Sequence, residues 1–265
     1  MKLACLGSGK MGTALLQGIV ARGVCTAADI VISDPIAAAV AAARTAVPGV
    51  NVAESNTEAV RGADAVLLCV KPYGIVPLVE SLREPPSTLL ISIAAGVTLP
   101  QMEAAAGGHR VVRVMPNTPA LVGKGAAAYA PGSKATEADC SLTEKLLSAV
   151  GTVTRVPERL LDAVTGLSGS GPAYIYTVIE ALADGGVAEG LTKEQALQLA
   201  AQTVAGAAEM VLQTGLHPAV LRDQVTSPGG TTIAALATLE AKGLRSALIE
   251  AVRTATRRAQ ELGRS

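Results

Sequence analysis

Leu3-Ala4-Cys5-Leu6-Gly7-Ser8-Gly9-Lys10-Met11-Gly12 lies near the start of the sequence and decides the fold. An apolar run of strand length enters a G-x-G-x-x-G turn, and Leu15, Leu16, Ile19 and Val20 then recur on one helical face until Gly23 stops it. Gly7 permits the tight turn, Gly9 lets backbone come close to a pyrophosphate, and Gly12 lets the helix lie against the strand. The helix N-terminus offers N–H groups to an anion. The expected guest of Gly7, Ser8, Gly9, Lys10, Met11 and Gly12 is a dinucleotide.

Outward from this turn, strand and helix alternate. Asp29 to Ser33 forms a second strand, closed by Asp34 at the distance where a carboxylate accepts hydrogen bonds from an adenosine ribose. Asp34 reads equally as the cap of an Ala-rich helix starting near Pro35. A short strand follows near Val50-Asn51-Val52. The apolar runs Ala65 to Val70, Thr88 to Ile93 and Arg110 to Val114 are central parallel strands, covered on both faces. They end in Lys71-Pro72, Ala94-Ala95-Gly96 and Met115-Pro116-Asn117-Thr118-Pro119. Ligands bind beyond the carboxyl ends of such strands, so these loops line one crevice. Lys71 and Asn117 are its polar groups, and each reads equally as an ordinary loop or turn residue.

The 265 residues suffice for two domains. Lys plus Arg and Asp plus Glu both number 22, which speaks against nucleic acid or an anionic membrane as partner and for a small molecule. Aromatic residues make up only 2%, so the core is built from Ala, Val, Leu and Ile. Cys5, Cys25, Cys69 and Cys140 form no C-x-x-C pair and read as buried thiols in a reducing compartment. With no leader sequence, membrane span or metal-ligand motif in evidence, the expectation is a cytoplasmic protein without a metal.

Between Gly151 and Pro157 the alternation gives way to helices, which places a boundary between a dinucleotide-binding domain, residues 1–157, and a helical domain, residues 158–265. Gly166 to Gly171 reads as a flexible glycine turn, with Pro172 starting a helix from Ala173 to Asp184 that is apolar nearly all round and needs burial, between subunits if not within one. Thr192 and Gln195 form a capping box for a helix with Leu197, Ala200, Val204, Ala207 and Val211 on one side. A last helix, roughly Leu244 to Leu262, turns Leu248, Val252, Ala255 and Ala259 inward and Arg253, Arg257 and Arg258 outward. Ser227-Pro228-Gly229-Gly230-Thr231-Thr232 opens another helix, either as a site for a small carboxylate or as an ordinary capped turn.

Val70-Lys71-Pro72, Met115 to Pro119, Asp162 to Tyr174, Ala183-Asp184-Gly185-Gly186 and Ser227 to Thr232 stand in the order and spacing of pyrroline-5-carboxylate reductases, which the chain resembles over essentially its whole length. The resemblance implies reduction of Δ1-pyrroline-5-carboxylate to L-proline with NADPH or NADH. It implies a Rossmann-type doubly wound parallel sheet followed by an all-α dimerisation domain, a homodimer assembled into a ring of five dimers, and a crevice completed across the dimer. Carried over by position, Gly7 to Gly12 hold the pyrophosphate, while Asn56 and Val70-Lys71-Pro72 flank the cofactor. Ala94, Met115 and Asn117 lie nearer the nicotinamide. Ser227, Gly229, Gly230, Thr231 and Thr232 hold the substrate carboxylate, with Thr232 catalytic beside the imine nitrogen. Members that prefer NADPH commonly carry Ser, Thr, Asn or Arg where Asp34 stands, so either NADH is favoured here or Ser33 receives the extra phosphate.

The chemistry supports the same reading. A cyclic imine is basic enough to arrive protonated, so its reduction needs little acid catalysis, and neither His109, in the loop before a strand, nor His217, before Pro218, belongs to a catalytic motif; each reads as a surface or loop residue. The related β-hydroxyacid dehydrogenases carry G-x-x-G-x-G-x-x-x-K with the lysine as proton-transfer group. Here that position is Ile175, where a lysine would place a buried positive charge near a cationic substrate. A dinucleotide-binding sensor without catalysis would show a damaged substrate turn, and the Ser227 to Thr232 turn is intact.

Overall fold

The computed structural model describes residues 1–82 and 87–264. Its elements are β1 (Leu3–Leu6), α1 (Lys10–Ala21), β2 (Ile30–Ser33), α2 (Ala37–Ala46), β3 (Asn51–Val52), α3 (Asn56–Val60), β4 (Ala65–Leu68), α4 (Ile75–Ser81), β5 (Leu89–Ser92), α5 (Leu99–Ala106), β6 (Arg110–Met115), β7 (Gly125–Pro131), α6 (Glu137–Leu147), β8 (Gly151–Arg155), α7 (Leu161–Val164), α8 (Gly171–Ala188), α9 (Lys193–Thr214), α10 (Pro218–Gln224), α11 (Thr231–Ala241) and α12 (Leu244–Arg264). A π-helical turn, Thr165–Gly169, joins α7 to α8.

The strands form one sheet in the order β3-β2-β1-β4-β5-β6-β7-β8. β1 to β6 are parallel, with Leu6 beside both Ser33 and Leu68. Every residue of β1, β4 and β5 is buried, because helices cover both faces. Alternation along β1 divides the core accordingly: Leu3 and Cys5 join the cluster containing Leu15, Leu16 and Ile19 of α1, whereas Ala4 and Leu6 join the one containing Ile75, Leu78 and Val79 of α4. Each buried Leu, Ile or Val contributes about 1.5–3 kcal/mol, so the sheet is the stable part of the chain.

Two strands escape the sequence reading, which ends the sheet at β6. β7 pairs antiparallel to β6, and β8 pairs parallel to β7. The Ala-Ala-Ala run inside β7 has no intrinsic preference for a strand; pairing on both sides imposes it. Tyr129 anchors the strand, fully buried, with its hydroxyl donating to Glu144 Oε1 at 2.6 Å. α2 begins at Ala37 rather than near Pro35, because Asp34 Oδ1 accepts the Ile36 N–H at 2.9 Å and holds Pro35 and Ile36 outside the helix. His109 lies, as expected, in the loop before β6 and is buried there, taking the Thr88 N–H on Nδ1 at 3.2 Å and donating from Nε2 to the Leu82 carbonyl at 2.5 Å. It is a structural cross-brace.

The chain divides into two compact units, residues 1–170 with 253–264, and residues 171–252. Residues 158–170 pack with the sheet: Leu161 is fully buried in the α4 cluster, and Arg113 of β6 pairs with Glu158 at 3.0 Å and Asp162 at 3.4 Å. The end of α12 belongs there too, Leu262 lying against Gly96. In the second unit, α8 packs on α9 through Ile179, Ala183, Ala196 and Ala200. Those three alanines are the only residues of this unit that are buried, whereas Tyr176, Leu182, Leu199, Met210 and Leu212 are each at least half exposed. So thin a core leaves the helices needing a further surface to pack on.

Candidate active site

In an open parallel sheet the switch in strand order makes a crevice at the carboxyl ends, here between β1 and β4. The glycine turn sits over it, and each glycine has a separate steric reason. Gly7 has φ +95°, and a methyl group there would stand 2.8 Å from the Cys69 carbonyl carbon. At Gly12 a methyl would collide with the Gly7 carbonyl and stand 3.2 Å from Cys69 Cβ. At Gly9 it would meet nothing within 4 Å. Gly7 and Gly12 are therefore glycine for packing, and Gly9 for the open space above it. Gly9 caps α1 without a side-chain hydrogen bond, so the first N–H groups of α1 point into that space with no partner in the helix. The cradle fits a pyrophosphate.

Beneath the turn two sulfurs meet, from cysteines 64 positions apart in the chain. Cys5 Sγ lies 3.8 Å from Cys69 Sγ and 3.4 Å from the Gly7 carbonyl oxygen. The contact with Cys5, and then burial, holds the Cys69 thiol well above the usual range, so this sulfur stays protonated and adds no negative charge under an anion.

Asp34 has a structural task that neither sequence reading named in full. Its Oδ2 accepts the Ser8 N–H at 2.7 Å and the Ser8 hydroxyl at 3.2 Å, which locks the glycine turn to the end of β2. Gly7 N–H completes the lock by donating to the Ser33 carbonyl at 2.9 Å. One lone pair remains, on Oδ1, for a ribose hydroxyl.

Sheet register brings the other expected cofactor residues to the same edge. Asn56 begins α3, capped by Ser55; Val70, Lys71 and Pro72 follow β4, with Lys71 and Pro72 exposed; Ala94 follows β5 and is buried. Met115 ends β6, and Asn117 lies two residues beyond it with its amide engaged at both ends. Gly166 to Gly171, expected as a flexible turn, instead continues α7 through the π turn into α8.

The Ser227 to Thr232 turn, expected to take the substrate carboxylate, lies in the second unit. Gly229 has φ +66°, and Gly230 caps α11 with no side-chain hydrogen bond. An ordinary capped turn would place a hydroxyl on the first N–H groups. Here Ser227 accepts the Gly230 N–H only through its carbonyl, at 3.1 Å, so the start of α11 presents unsatisfied N–H groups beside Thr231 and the half-buried Thr232. Ile175 on α8 is 43% exposed, so a lysine there would not be buried within this chain.

Comparison with known proteins finds relatives along the whole chain. Residues 158–262 match the family model described as pyrroline-5-carboxylate reductase dimerisation, and residues 2–96 match that of NADP oxidoreductase, coenzyme F420-dependent. The pyrroline-5-carboxylate reductase of Methanosarcina acetivorans is 47% identical over 99% of this chain and 98% of its own. The chain belongs to the pyrroline-5-carboxylate reductase family. A solved reductase from Coxiella burnetii superposes with a TM-score of 0.93 at 37% identity, covering 100% of this chain and 99% of that one. A Plasmodium falciparum member, solved with NADP bound, superposes with a TM-score of 0.87 at 31% identity, covering 99% and 98%.

The two glycine environments separate binding from folding. Gly9→Ala is expected to leave the midpoint of urea unfolding unchanged and to weaken NADH binding at least tenfold in a fluorescence titration. Gly12→Ala, which must displace backbone, loses about 1–3 kcal/mol of stability in the same unfolding experiment.

Proposed function

We propose that this chain reduces the C=N bond of Δ1-pyrroline-5-carboxylate to give L-proline, with NADH or NADPH as donor. The observation that carries the reading is the presence on one chain of a glycine cradle open above Gly9 and a helix start at Gly230 whose N–H groups no side chain caps. The first suits a dinucleotide and the second a small carboxylate. Bound NADH or NADPH supplies the hydride. The chain's own residues bind and orient: Gly7 to Gly12 take the pyrophosphate on α1, and the backbone from Gly229 to Thr232 takes the substrate carboxylate on α11. The imine nitrogen arrives protonated, so Thr232 holds its N–H in place by accepting a hydrogen bond and need not transfer a proton. With Ile175 where a hydroxyacid dehydrogenase carries lysine, no residue is set for alcohol chemistry.

The direct test uses NADH deuterated at C4 with pyrroline-5-carboxylate. Deuterium at C5 of the product proline, read by NMR, is the expected result; oxidation without transfer to proline contradicts the proposal. Thr232→Val is expected to lower turnover at least tenfold with less than twofold change in NADH affinity.

Asp34 bears on cofactor choice. Its carboxylate, fixed by Ser8, stands beside the position of the adenosine ribose, and a 2′-phosphate there would meet like charge. NADH is therefore used at least as well as NADPH. Asp34→Ser shifts the ratio of kcat/KM values toward NADPH by tenfold or more; an unchanged ratio removes Asp34 from the choice.

We also infer a homo-oligomer built on the helical unit, in the form of a ring of five dimers. In support, that unit buries only three alanines of its own, and residues 158–262 match a dimerisation family. Light scattering is expected to give ten times the 26.6 kDa chain mass. A mass of two chains would leave the dimer and remove the ring. The four free thiols and the lack, among the described residues, of a helix long and apolar enough to cross a membrane support placement in a reducing cytoplasm.

A further inference from the structure

Arg113, Met115 and Asn117 alternate along β6 and its continuation, so they share one side of the sheet. Val112 and Val114 face the other way, into the α1 cluster. Each of the three reaches the same stretch of chain. Arg113 is buried and holds Glu158 at 3.0 Å and Asp162 at 3.4 Å. Glu158 passes the restraint on by accepting the Leu99 N–H at 2.6 Å. Met115 fills the space beside Gly169, where a methyl group would stand 2.5 Å from its Cε. Asn117, 8% exposed, donates from Nδ2 to the Ser168 carbonyl at 3.1 Å and accepts the Ala126 N–H on Oδ1 at 2.8 Å.

Between these tethers the chain takes its least regular helical form. In the π turn the Ser170 N–H reaches the Thr165 carbonyl, at 2.8 Å, and the wider spacing spoils the usual pairing of the carbonyls inside the turn. Asn117 supplies a donor to one of them. The buried side-chain amide is thereby engaged within the protein at both ends: the oxygen secures β7, the nitrogen the π turn.

We propose that Asn117 is a positioning residue for the reduction, one that acts by latching the π turn Thr165–Gly169 onto the carboxyl end of β6 and does not contact the dinucleotide. The latched turn is a fixed wall at the nicotinamide end of the crevice in the first unit. Met115 Cε packs against Gly169 at the end of the turn, and Arg113 sets the register of the segment before it. The inference rests on the reductase reading above, and it replaces the expected role of Asn117 as a cofactor contact.

Asn117→Asp tests it, since the isosteric carboxylate keeps the acceptor for Ala126 and loses the donor to Ser168. Two readouts are taken on the full-length protein. In hydrogen–deuterium exchange, peptides covering residues 165–170 are expected to exchange at least tenfold faster, with β1 to β5 unchanged. In steady-state assays with the imine and NADH, kcat is expected to fall at least tenfold while the NADH dissociation constant stays within twofold. Unchanged exchange overturns the latch. Faster exchange with kcat within twofold overturns the positioning role, and a dissociation constant that rises in step with the loss of kcat restores direct contact. Should Asn117→Asp not fold, Asn117→Ala is read by the same criteria. A wild-type protein that does not turn over the imine overturns the reductase reading and the catalytic half of this proposal with it, while exchange decides the latch.

Discussion

Three backbone segments meet at one point under the glycine turn, and the rest of the molecule is arranged about that contact. The Gly7 carbonyl, the first turns of α1 at Gly12 and the chain leaving β4 at Cys69 approach so closely that no Cβ fits at either glycine. This closeness sets the start of α1 over the switch point between β1 and β4, where the dipole and N–H groups of the helix act on an anion. The Ser8–Asp34 bonds fix the turn from the β2 side, and the protonated Cys69 closes it from below. The turn is thus held by close backbone packing, the Ser8–Asp34 bonds and two thiols.

Much of this was legible because its signals are local. The G-x-G-x-x-G block, the apolar runs of β1, β4 and β5 and the capping box at Thr192 each carry their reason within a few residues. What was hidden depends on distant partners. β7 is a strand through pairing with β6 and β8, and its alanines say nothing of it. His109 is buried because Leu82 and Thr88 satisfy both ring nitrogens. Asp34 was legible as a ribose or cap residue and not as the lock on Ser8, since only folding brings the two together. Arg113 did leave a trace: a charge inside an apolar run calls for a buried partner. The substrate turn could be found in the sequence, but only the structure distinguishes an open helix start at Gly230 from a capped one.

The two units differ in how they reach stability, and the difference has a functional meaning. The sheet unit buries its strands completely and can hold a rigid cofactor crevice by itself. The helical unit buries little of its apolar surface, so association with another copy contributes to its stability. Assembly therefore matters more to the stability of the helical unit than to that of the sheet unit.

The central claim is that the chain is an imine reductase. The most direct measurement is the loss of reduced-nicotinamide absorbance on mixing the protein with pyrroline-5-carboxylate, with NADH and NADPH run in parallel. Imine-dependent oxidation of at least one cofactor, with proline formed in equal amount, is the result this account requires. Binding of both cofactors with no oxidation of either in the presence of the imine would contradict it.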